Sequence, residues 1–117
     1  MKEYTQKNKL LQEIKHTSRS GSKLNMFQYC PNNTNLHEDT KFKIFKELRN
    51  KGYDVLVEPE FNGFRPDIVA FDGKGNGYIF EVVNSETEES IERKKKKYSP
   101  NFDLYFFTVV EDINLPI

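Results

Sequence analysis

The sequence predicts an α/β domain in which a helix, three strands, a second helix and a last strand follow one another from Leu36 onward. Two short runs of β-branched and aromatic residues flank the glycine-rich segment 72–77, which is the pattern of a β-hairpin. Apolar residues recur at helical spacing before the hairpin, and a charged segment with acids first and bases last follows it. These three patterns together indicate the order of the elements.

The first 25 residues are predicted to form a separate segment, and residues 26–117 the main domain. Residues 4–14 are a candidate extra helix, because apolar residues cluster near their end at helical spacing, and residues 17–22 have the composition of a linker. The first 25 residues carry six Lys or Arg against two Glu, or 6 − 2 = +4, which leaves −4 on the rest of a chain with zero net charge. Such a basic segment either contacts the phosphates of a nucleic acid or serves as a solubilising tail.

Length, cysteine content and hydropathy limit the class of protein. A chain of 117 residues has about the length of one domain and can bury a core without disulfide bonds. Its single cysteine, Cys30, cannot form an internal disulfide, and the sequence contains neither an apolar run of membrane-spanning length nor a signal-peptide pattern. We therefore expect a cytoplasmic protein without a membrane partner.

The first helix of the domain is predicted between a cap at Thr34 or Asn35 and a stop at Gly52. Its apolar face consists of Phe42, Ile44, Phe45 and Leu48. Glu38 lies in the first turn, where the helix dipole favours an acid whether or not that acid has a further role. His37 beside it is expected to be a surface or capping residue, because no second His or Cys stands at metal-ligand spacing.

The remaining elements are short. A strand is predicted over residues 53–61 with its end near Pro59, which cannot donate to a ladder. The hairpin strands are predicted over 65–71 and 78–85. The charged segment 86–98 is predicted to be a helix, stabilised by Glu and Lys side chains at one-turn spacing. Residues 104–110 are apolar enough to form a strand that is buried on both faces.

Two acids stand inside the apolar hairpin strands, and they indicate a metal site. Asp67 and Glu81 are costly as buried ions unless a positive charge compensates them. If the hairpin register brings them together, their carboxylates and that of Glu38 offer the oxygen ligands that Mg²⁺ or Mn²⁺ prefers. The alternative is that Asp67 pairs with Arg65 and Glu81 with a lysine, an arrangement that needs no metal.

At these residues the chain resembles the PD-(D/E)XK nuclease superfamily, which has the restriction-endonuclease-like fold. The resemblance rests on Arg65-Pro66-Asp67, the hairpin, Glu81 on the next strand and the order of the elements, and it covers roughly residues 35–110. It implies a mixed sheet flanked by helices, to which this chain adds its N-terminal helix. It also implies that Asp67 and Glu81 bind the metal and that Glu38 completes the catalytic site.

One position departs from the family pattern. The family's lysine should stand two residues after the second acid, where this chain has Val83. That lysine is thought to orient or deprotonate the attacking water and to stabilise charge on the phosphate, which valine cannot do. Lys94, one turn before Tyr98 on the following helix, is the expected catalytic replacement, since some members carry the amine there. The alternative is that residues 94–97 form a solvated run or a patch that contacts phosphates. Ser85 resembles a serine that other members place shortly after the lysine position.

The resemblance implies an endonuclease or exonuclease that depends on Mg²⁺ or Mn²⁺ and hydrolyses phosphodiester bonds, with DNA as the expected substrate. The residues expected to contact the nucleic acid are Arg65, Ser85, Lys95, Lys97 and Tyr98. The alternative is a catalytically lapsed module on the same fold that binds nucleic acid or a protein partner, because a fold does not fix a function. A third possibility is a subunit that needs a partner, such as a second copy in a homodimer, to complete its site.

Overall fold

The computed structural model describes residues 14–15, 24–61, 65–83, 88–97, 102–108 and 115. Its elements in chain order are β1 Ile14–Lys15, α1 Asn35–Asn50, β2 Asp54–Val57, β3 Glu60–Phe61, β4 Ile68–Phe71, β5 Gly77–Val83, α2 Glu88–Lys97 and β6 Phe102–Thr108. The predicted α/β class is confirmed, and so is the alternation of helix, strands, helix and strand.

Four of these strands form one mixed sheet in the order β2-β4-β5-β6. β2 pairs antiparallel with β4, and β4 pairs antiparallel with β5, as the predicted hairpin requires. β6 joins β5 in parallel, from Gly77 opposite Phe102 to Val83 opposite Thr108. Parallel neighbours cannot be joined by a tight turn and need a crossover connection, which contains α2 in this chain.

The structure corrects two predictions about the first strands. Ile14 lies in β1, which pairs antiparallel with β3, so the helix predicted over 4–14 does not extend through this β-branched residue. The rest of that predicted helix and the linker after it lie outside the described residues. The strand predicted over 53–61 ends at Val57, close to its expected end near Pro59, and Glu60–Phe61 form the separate strand β3, which was not predicted. The division falls at Glu58, whose left-handed φ of 49° turns the chain, and at Pro59, which has no N–H for a ladder.

The turn between β4 and β5 is held by the side chain of Asp72. Its Oδ1 atom accepts hydrogen bonds from the amides of Lys74 at 2.8 Å and Asn76 at 2.9 Å. Its Oδ2 atom accepts from the Asn76 side chain at 3.0 Å and from the Tyr78 hydroxyl at 2.9 Å. These bonds fix the register of β4 against β5. The register in turn determines which residues meet at the other end of the hairpin.

Helix α1 packs against one face of the sheet. The Thr34 hydroxyl accepts a hydrogen bond from the His37 amide at 3.1 Å, so Thr34 caps the helix as predicted. Ile44 and Leu48 are fully buried. They form the larger core cluster with the sheet residues Val55, Ile68, Ala70, Phe80 and Val82. The alternate residues of the strands form a second cluster on the opposite face, consisting of Leu56, Val69, Phe71, Ile79 and Phe102.

One residue of the predicted apolar face of α1 points elsewhere. Phe42 is 42 % exposed and lies against Phe27, with the ring centroids 4.8 Å apart. The buried stripe runs instead through Lys41, Ile44 and Leu48, at the three- and four-residue spacing of one helix face. A fully buried lysine therefore occupies a core position, where it needs charged partners.

Gly52 ends α1 in a left-handed conformation, with φ 86°. A Cβ atom at position 52 would meet no atom within 4 Å, so it would cause no steric clash. A side chain is disfavoured there because of the left-handed backbone conformation alone. We expect Gly52→Ala to lower the free energy of unfolding by about 1 kcal/mol. Gly73 is the matched control, because its Cβ would also meet no atom within 4 Å while its φ is not left-handed.

Urea unfolding of the two glycine variants measures this difference. Gly73→Ala should be neutral or mildly stabilising, because alanine restricts the unfolded chain more than glycine does. Equal losses at Gly52 and Gly73 would contradict the expectation.

Candidate functional site

Three acidic residues, Glu58, Asp67 and Glu81, lie one position beyond the last paired residues of β2, β4 and β5. We call these three residues the row. The last paired residues are Val57, Ile68 and Phe80. One residue further along, the Glu58 amide donates to the Asp67 carbonyl at 3.0 Å, so the contact between these strands continues. The register of the hairpin, extended by one residue beyond Ile68 and Phe80, puts Asp67 opposite Glu81. Residues that are opposite each other in antiparallel strands direct their side chains to the same side of the sheet, so this extension puts Asp67 and Glu81 on one side.

Asp67 reaches this row from the start of β4. Its Oδ2 atom accepts a hydrogen bond from the Val82 amide at 2.7 Å, which ties the carboxylate to the backbone next to Glu81. The Nε2 atom of His37 lies 3.5 Å from the same oxygen. Arg65, the partner in the alternative that needs no metal, is exposed. Among the described residues, the basic side chain beside Asp67 is that of His37.

Glu81 lies in the interior of β5 and is 4 % exposed. Its Oε2 atom is 3.8 Å from the Nζ atom of Lys94 on α2, whose side chain is 31 % exposed. At that distance the two atoms attract electrostatically and form no direct hydrogen bond. Val83, which stands at the family's lysine position, is buried. The fold thus brings the second acid together with the lysine that the sequence analysis put forward as the replacement.

Glu38 is 3 % exposed, and donors surround its carboxylate. Oε1 accepts from the Cys30 amide at 2.6 Å, and Oε2 from the Asn33 side chain at 2.9 Å. Oε2 also lies 2.8 Å from Lys41 Nζ and 3.4 Å from His37 Nδ1. Burial works against the ionised form of Glu38, but the Cys30 amide, Lys41 and Asn33 outweigh it and lower the pKa of Glu38. Both oxygens of Glu38 therefore have protein partners.

Lys41 is stable in the core because it forms two ion pairs. Its Nζ atom bridges Glu38 and Glu58, and the contact with Glu58 is the shorter of the two. Burial disfavours the ammonium ion, yet the two carboxylates outweigh it and raise the pKa of Lys41. The sequence analysis missed this residue, although two signals were present. Lys41 stands on the helical stripe of Ile44 and Leu48, and three residues after Glu38.

His37 links the first turn of α1 to the row of carboxylates. Its Nδ1 atom lies 3.4 Å from Glu38 Oε2, and its Nε2 atom 3.5 Å from Asp67 Oδ2. The hydrogen bond with Asp67 raises the pKa of His37, and it outweighs the opposing effect of burial. The sequence analysis expected a surface or capping residue, but the side chain is 14 % exposed and belongs to the site. Spacing within α1 gives no signal for this, because Asp67 is distant along the chain.

The lowered pKa of Glu38 makes stability depend on pH. A carboxyl group with a lowered pKa in the folded state contributes stability above its ordinary value of 4.5 and loses that contribution as the pH falls through the lowered value. We therefore expect the difference in unfolding free energy between the wild type and Glu38→Gln to shrink as the pH is lowered below 4.5. Urea unfolding at a series of pH values measures it.

Asp39→Asn is the control for this experiment, because Asp39 is the exposed neighbour of Glu38 on the same helical turn. It should change the free energy of unfolding by no more than about 0.5 kcal/mol at neutral pH. A constant difference between the wild type and Glu38→Gln across the acid range would contradict the expectation.

The donor atoms of the row fit a small hard cation. Within the described residues, no three His, Cys, Asp or Glu side chains form a group that could hold a metal ion. Asp67 and Glu81 nevertheless suit Mg²⁺, because this ion is usually bound through one or two carboxylates and keeps several waters. The Val82 amide engages Oδ2 of Asp67, which leaves Oδ1 as the oxygen for a cation.

The residues expected to contact nucleic acid fall partly within the described residues. Arg65 is exposed, two residues before Asp67. Lys95 is half-exposed, with its Nζ atom 3.3 Å from Glu92 Oε1, and Lys97 is the last residue of α2. Ser85 and Tyr98 lie outside the part of the chain that the structure describes.

In the part of the chain that the structure describes, neither helix has the length and apolar character to cross a bilayer. Comparisons with protein-family models, with curated protein sequences and with solved structures give no match for this chain.

Proposed function

We propose that the protein is a metal-dependent nuclease with a restriction-endonuclease-like core and that DNA is its substrate. One observation carries the proposal: the Val82 amide, next to Glu81 in β5, holds the Asp67 carboxylate at 2.7 Å, just beyond the paired residues Ile68 and Phe80. The mixed sheet and the crossover through α2 support the fold assignment, because the family resemblance implies a mixed sheet flanked by helices.

Asp67 and Glu81 would hold a Mg²⁺ or Mn²⁺ ion in this proposal. Such an ion supplies Lewis-acid polarisation of the phosphodiester and a binding point for its negative charge. The Lys94 ammonium group, 3.8 Å from Glu81, orients the attacking water and stabilises the charge that develops on the phosphate. The water oxygen adds to phosphorus and releases a proton to solvent, while one P–O ester bond breaks and its leaving oxygen takes up a proton, which gives a phosphomonoester and an alcohol. Val83 takes no part, since it is buried and apolar.

Basic residues around the site would hold the nucleic acid through its phosphates. Lys95 and Lys97 share α2 with Lys94, and Arg65 stands two residues from Asp67. The first 25 residues add a charge of 6 − 2 = +4. Contacts of this kind are independent of sequence and weaken as salt is added.

A second candidate function is a catalytically lapsed module that binds nucleic acid without cutting it. The specific observation in its favour is the proximity of Lys94 to Glu81, since this pairing compensates the buried acid without a metal. The absence of the family's lysine, with Val83 at its position, fits the same interpretation.

A cleavage assay tests the two candidates against each other. Purified protein is incubated with end-labelled single-stranded, duplex and branched DNA and with RNA, in the presence of Mg²⁺, Mn²⁺ or EDTA. Cleavage that requires a metal is the expected result. Binding without cleavage under each metal would favour the lapsed module, and neither binding nor cleavage would overturn both candidates.

Lys94→Met tests the role of the amine separately. We expect it to reduce kcat by about 10²- to 10⁴-fold, because a positioned acid–base group contributes that much to a hydrolysis. Lys74→Met is the matched control, since it removes the same charge from the turn at the opposite end of the hairpin. An unchanged kcat with a raised KM would assign Lys94 to phosphate binding, and unchanged turnover would remove it from the mechanism.

A further inference from the structure

We infer that Glu38 and His37 are positioning residues: Glu38 holds the His37 ring, and the ring holds Asp67, so Glu38 serves the site without binding the metal. The inference rests on the proposed nuclease function and assigns Glu38 a role different from the one that the family resemblance implies. This role accounts for the presence of Glu38 in the first turn of α1, where both of its carboxylate oxygens already have protein partners.

The contacts of Glu38 show that protein groups already surround its carboxylate. Oε1 is bonded to the Cys30 amide at 2.6 Å. Oε2 is close to three nitrogen atoms, on Asn33 at 2.9 Å, on Lys41 at 2.8 Å and on His37 at 3.4 Å. Each carboxylate oxygen offers about two lone-pair positions, so the three nitrogen atoms use the capacity of Oε2, and the Cys30 amide leaves one position on Oε1. A metal ion would have to reach that one position on a side chain that is 3 % exposed, or displace one of the donors.

The position of His37 links Glu38 to Asp67. The backbone amide of His37 is fixed by the Thr34 hydroxyl at 3.1 Å, and its ring lies between two carboxylates. One nitrogen faces Glu38 and the other faces Asp67, at 3.4 and 3.5 Å. A ring held at both nitrogens has one orientation. His37 therefore sets the position of Asp67 Oδ2 from the helix side, while the Val82 amide sets it from the strand side.

The contacts around Asp67 form a closed ring, so Asp67 is held in place through both its backbone and its side chain. Lys41 joins Glu38 to Glu58 through its two ion pairs. The Glu58 amide donates to the Asp67 carbonyl at 3.0 Å, and Asp67 leads back to Glu38 through His37. Both the backbone and the side chain of Asp67 are thus anchored to the same buried lysine. Such support holds a ligand within the small tolerance that a metal site requires.

The side chains of His37, Glu38 and Asp67 are close neighbours that contact one another in sequence. His37, Glu38 and Asp67 are linked in a chain by contacts of 3.4 and 3.5 Å. Within the described residues, no group of three such side chains could hold a metal ion. The contacts join the three groups one after another, which fits a supporting role for His37 and Glu38.

Mn²⁺ binding in the absence of nucleic acid tests the inference. Affinity is measured by calorimetry and by the electron paramagnetic resonance signal of free Mn²⁺, for the wild type, Glu38→Gln, His37→Ala and the double variant. We expect each single change to weaken Mn²⁺ binding by about 10- to 100-fold, as loss of a residue that supports a metal ligand does. The double variant should be no weaker than His37→Ala alone, because Glu38 acts through His37.

His37→Gln and Asp39→Asn complete the set. His37→Gln keeps an N–H donor for Asp67 and should retain more affinity than His37→Ala, while Asp39→Asn should bind Mn²⁺ as the wild type does. His37→Ala leaves the ion pairs of Lys41 in place, so it tests the inference even where Glu38→Gln fails to fold.

Three outcomes overturn the inference. Additive losses in the double variant, or a loss with Glu38→Gln and none with His37→Ala, would make Glu38 a direct metal ligand. Wild-type affinity in all variants of Glu38 and His37, with metal-dependent cleavage intact, would remove both residues from the site while leaving the nuclease function standing. A wild-type protein that neither binds Mn²⁺ nor cleaves nucleic acid would overturn the inference and the proposed function together.

Discussion

Asp67→Asn and Glu81→Gln should each reduce metal-dependent cleavage by at least about 10³-fold, because a metal that polarises the phosphodiester contributes several kcal/mol to the rate. Both changes keep the size of the side chain and remove its negative charge. Asparagine also keeps an oxygen that can accept the Val82 amide, so the bond that ties Asp67 to β5 survives. The loss should therefore appear in cleavage and in Mn²⁺ binding and not in the fold.

Asp103→Asn is the matched control for these two variants. Asp103 is an exposed carboxylate on β6, opposite Tyr78 in the same parallel pairing that includes Glu81. Rates are measured under single-turnover conditions with the best substrate from the cleavage assay, and the melting temperature of each variant is recorded. Cleavage by Asp67→Asn at more than a tenth of the wild-type rate would show that the paired acids are not the catalytic centre.

Lys41→Met should produce the largest loss of stability in the chain, about 3–5 kcal/mol, because it leaves two buried carboxylates without their cation. Glu38 is 3 % exposed and Glu58 15 %, so water compensates neither fully. Methionine fills a similar volume, which keeps the packing of α1 on the sheet. The free energy of unfolding from urea titration near neutral pH measures the effect.

Lys46→Met is the control, since Lys46 is an exposed lysine on the same helix that lies over the Phe42 ring. It should cost at most about 1 kcal/mol. Adding Glu58→Gln to Lys41→Met removes one uncompensated charge, so the two changes should be non-additive by about 1–3 kcal/mol. A loss with Lys41→Met no greater than that with Lys46→Met would mean that the buried ion pairs do not stabilise the fold.

The hairpin is the part of the molecule that local sequence predicts best. A glycine-rich turn and alternation within each strand are short-range properties, and they predict the antiparallel pairing of β4 with β5 that the structure shows. Lys94 is put forward by the family resemblance, and its Nζ atom lies 3.8 Å from Glu81. The hairpin itself depends only on neighbours in the chain.

The parts that sequence reasoning missed depend on contacts between distant residues. Lys41 is absent from the predicted core and site, because a buried lysine becomes stable only when Glu58 reaches it from the sheet. The division of the strand at Glu58 has the same origin, since a left-handed φ at a non-glycine residue is stabilised by its surroundings. His37 joined the site through Asp67, a partner that spacing within one helix does not reveal.

The parallel pairing of β5 with β6 affects the order in which the residues of the proposed site come together during folding. A hairpin such as β4–β5 closes within microseconds, whereas a parallel partner must wait until the intervening crossover has formed. Lys94 belongs to that crossover, so the amine arrives beside Glu81 after the two acids have already met. In the proposed nuclease, a nascent chain that has completed its hairpin but not its last strand would therefore lack the amine beside Glu81.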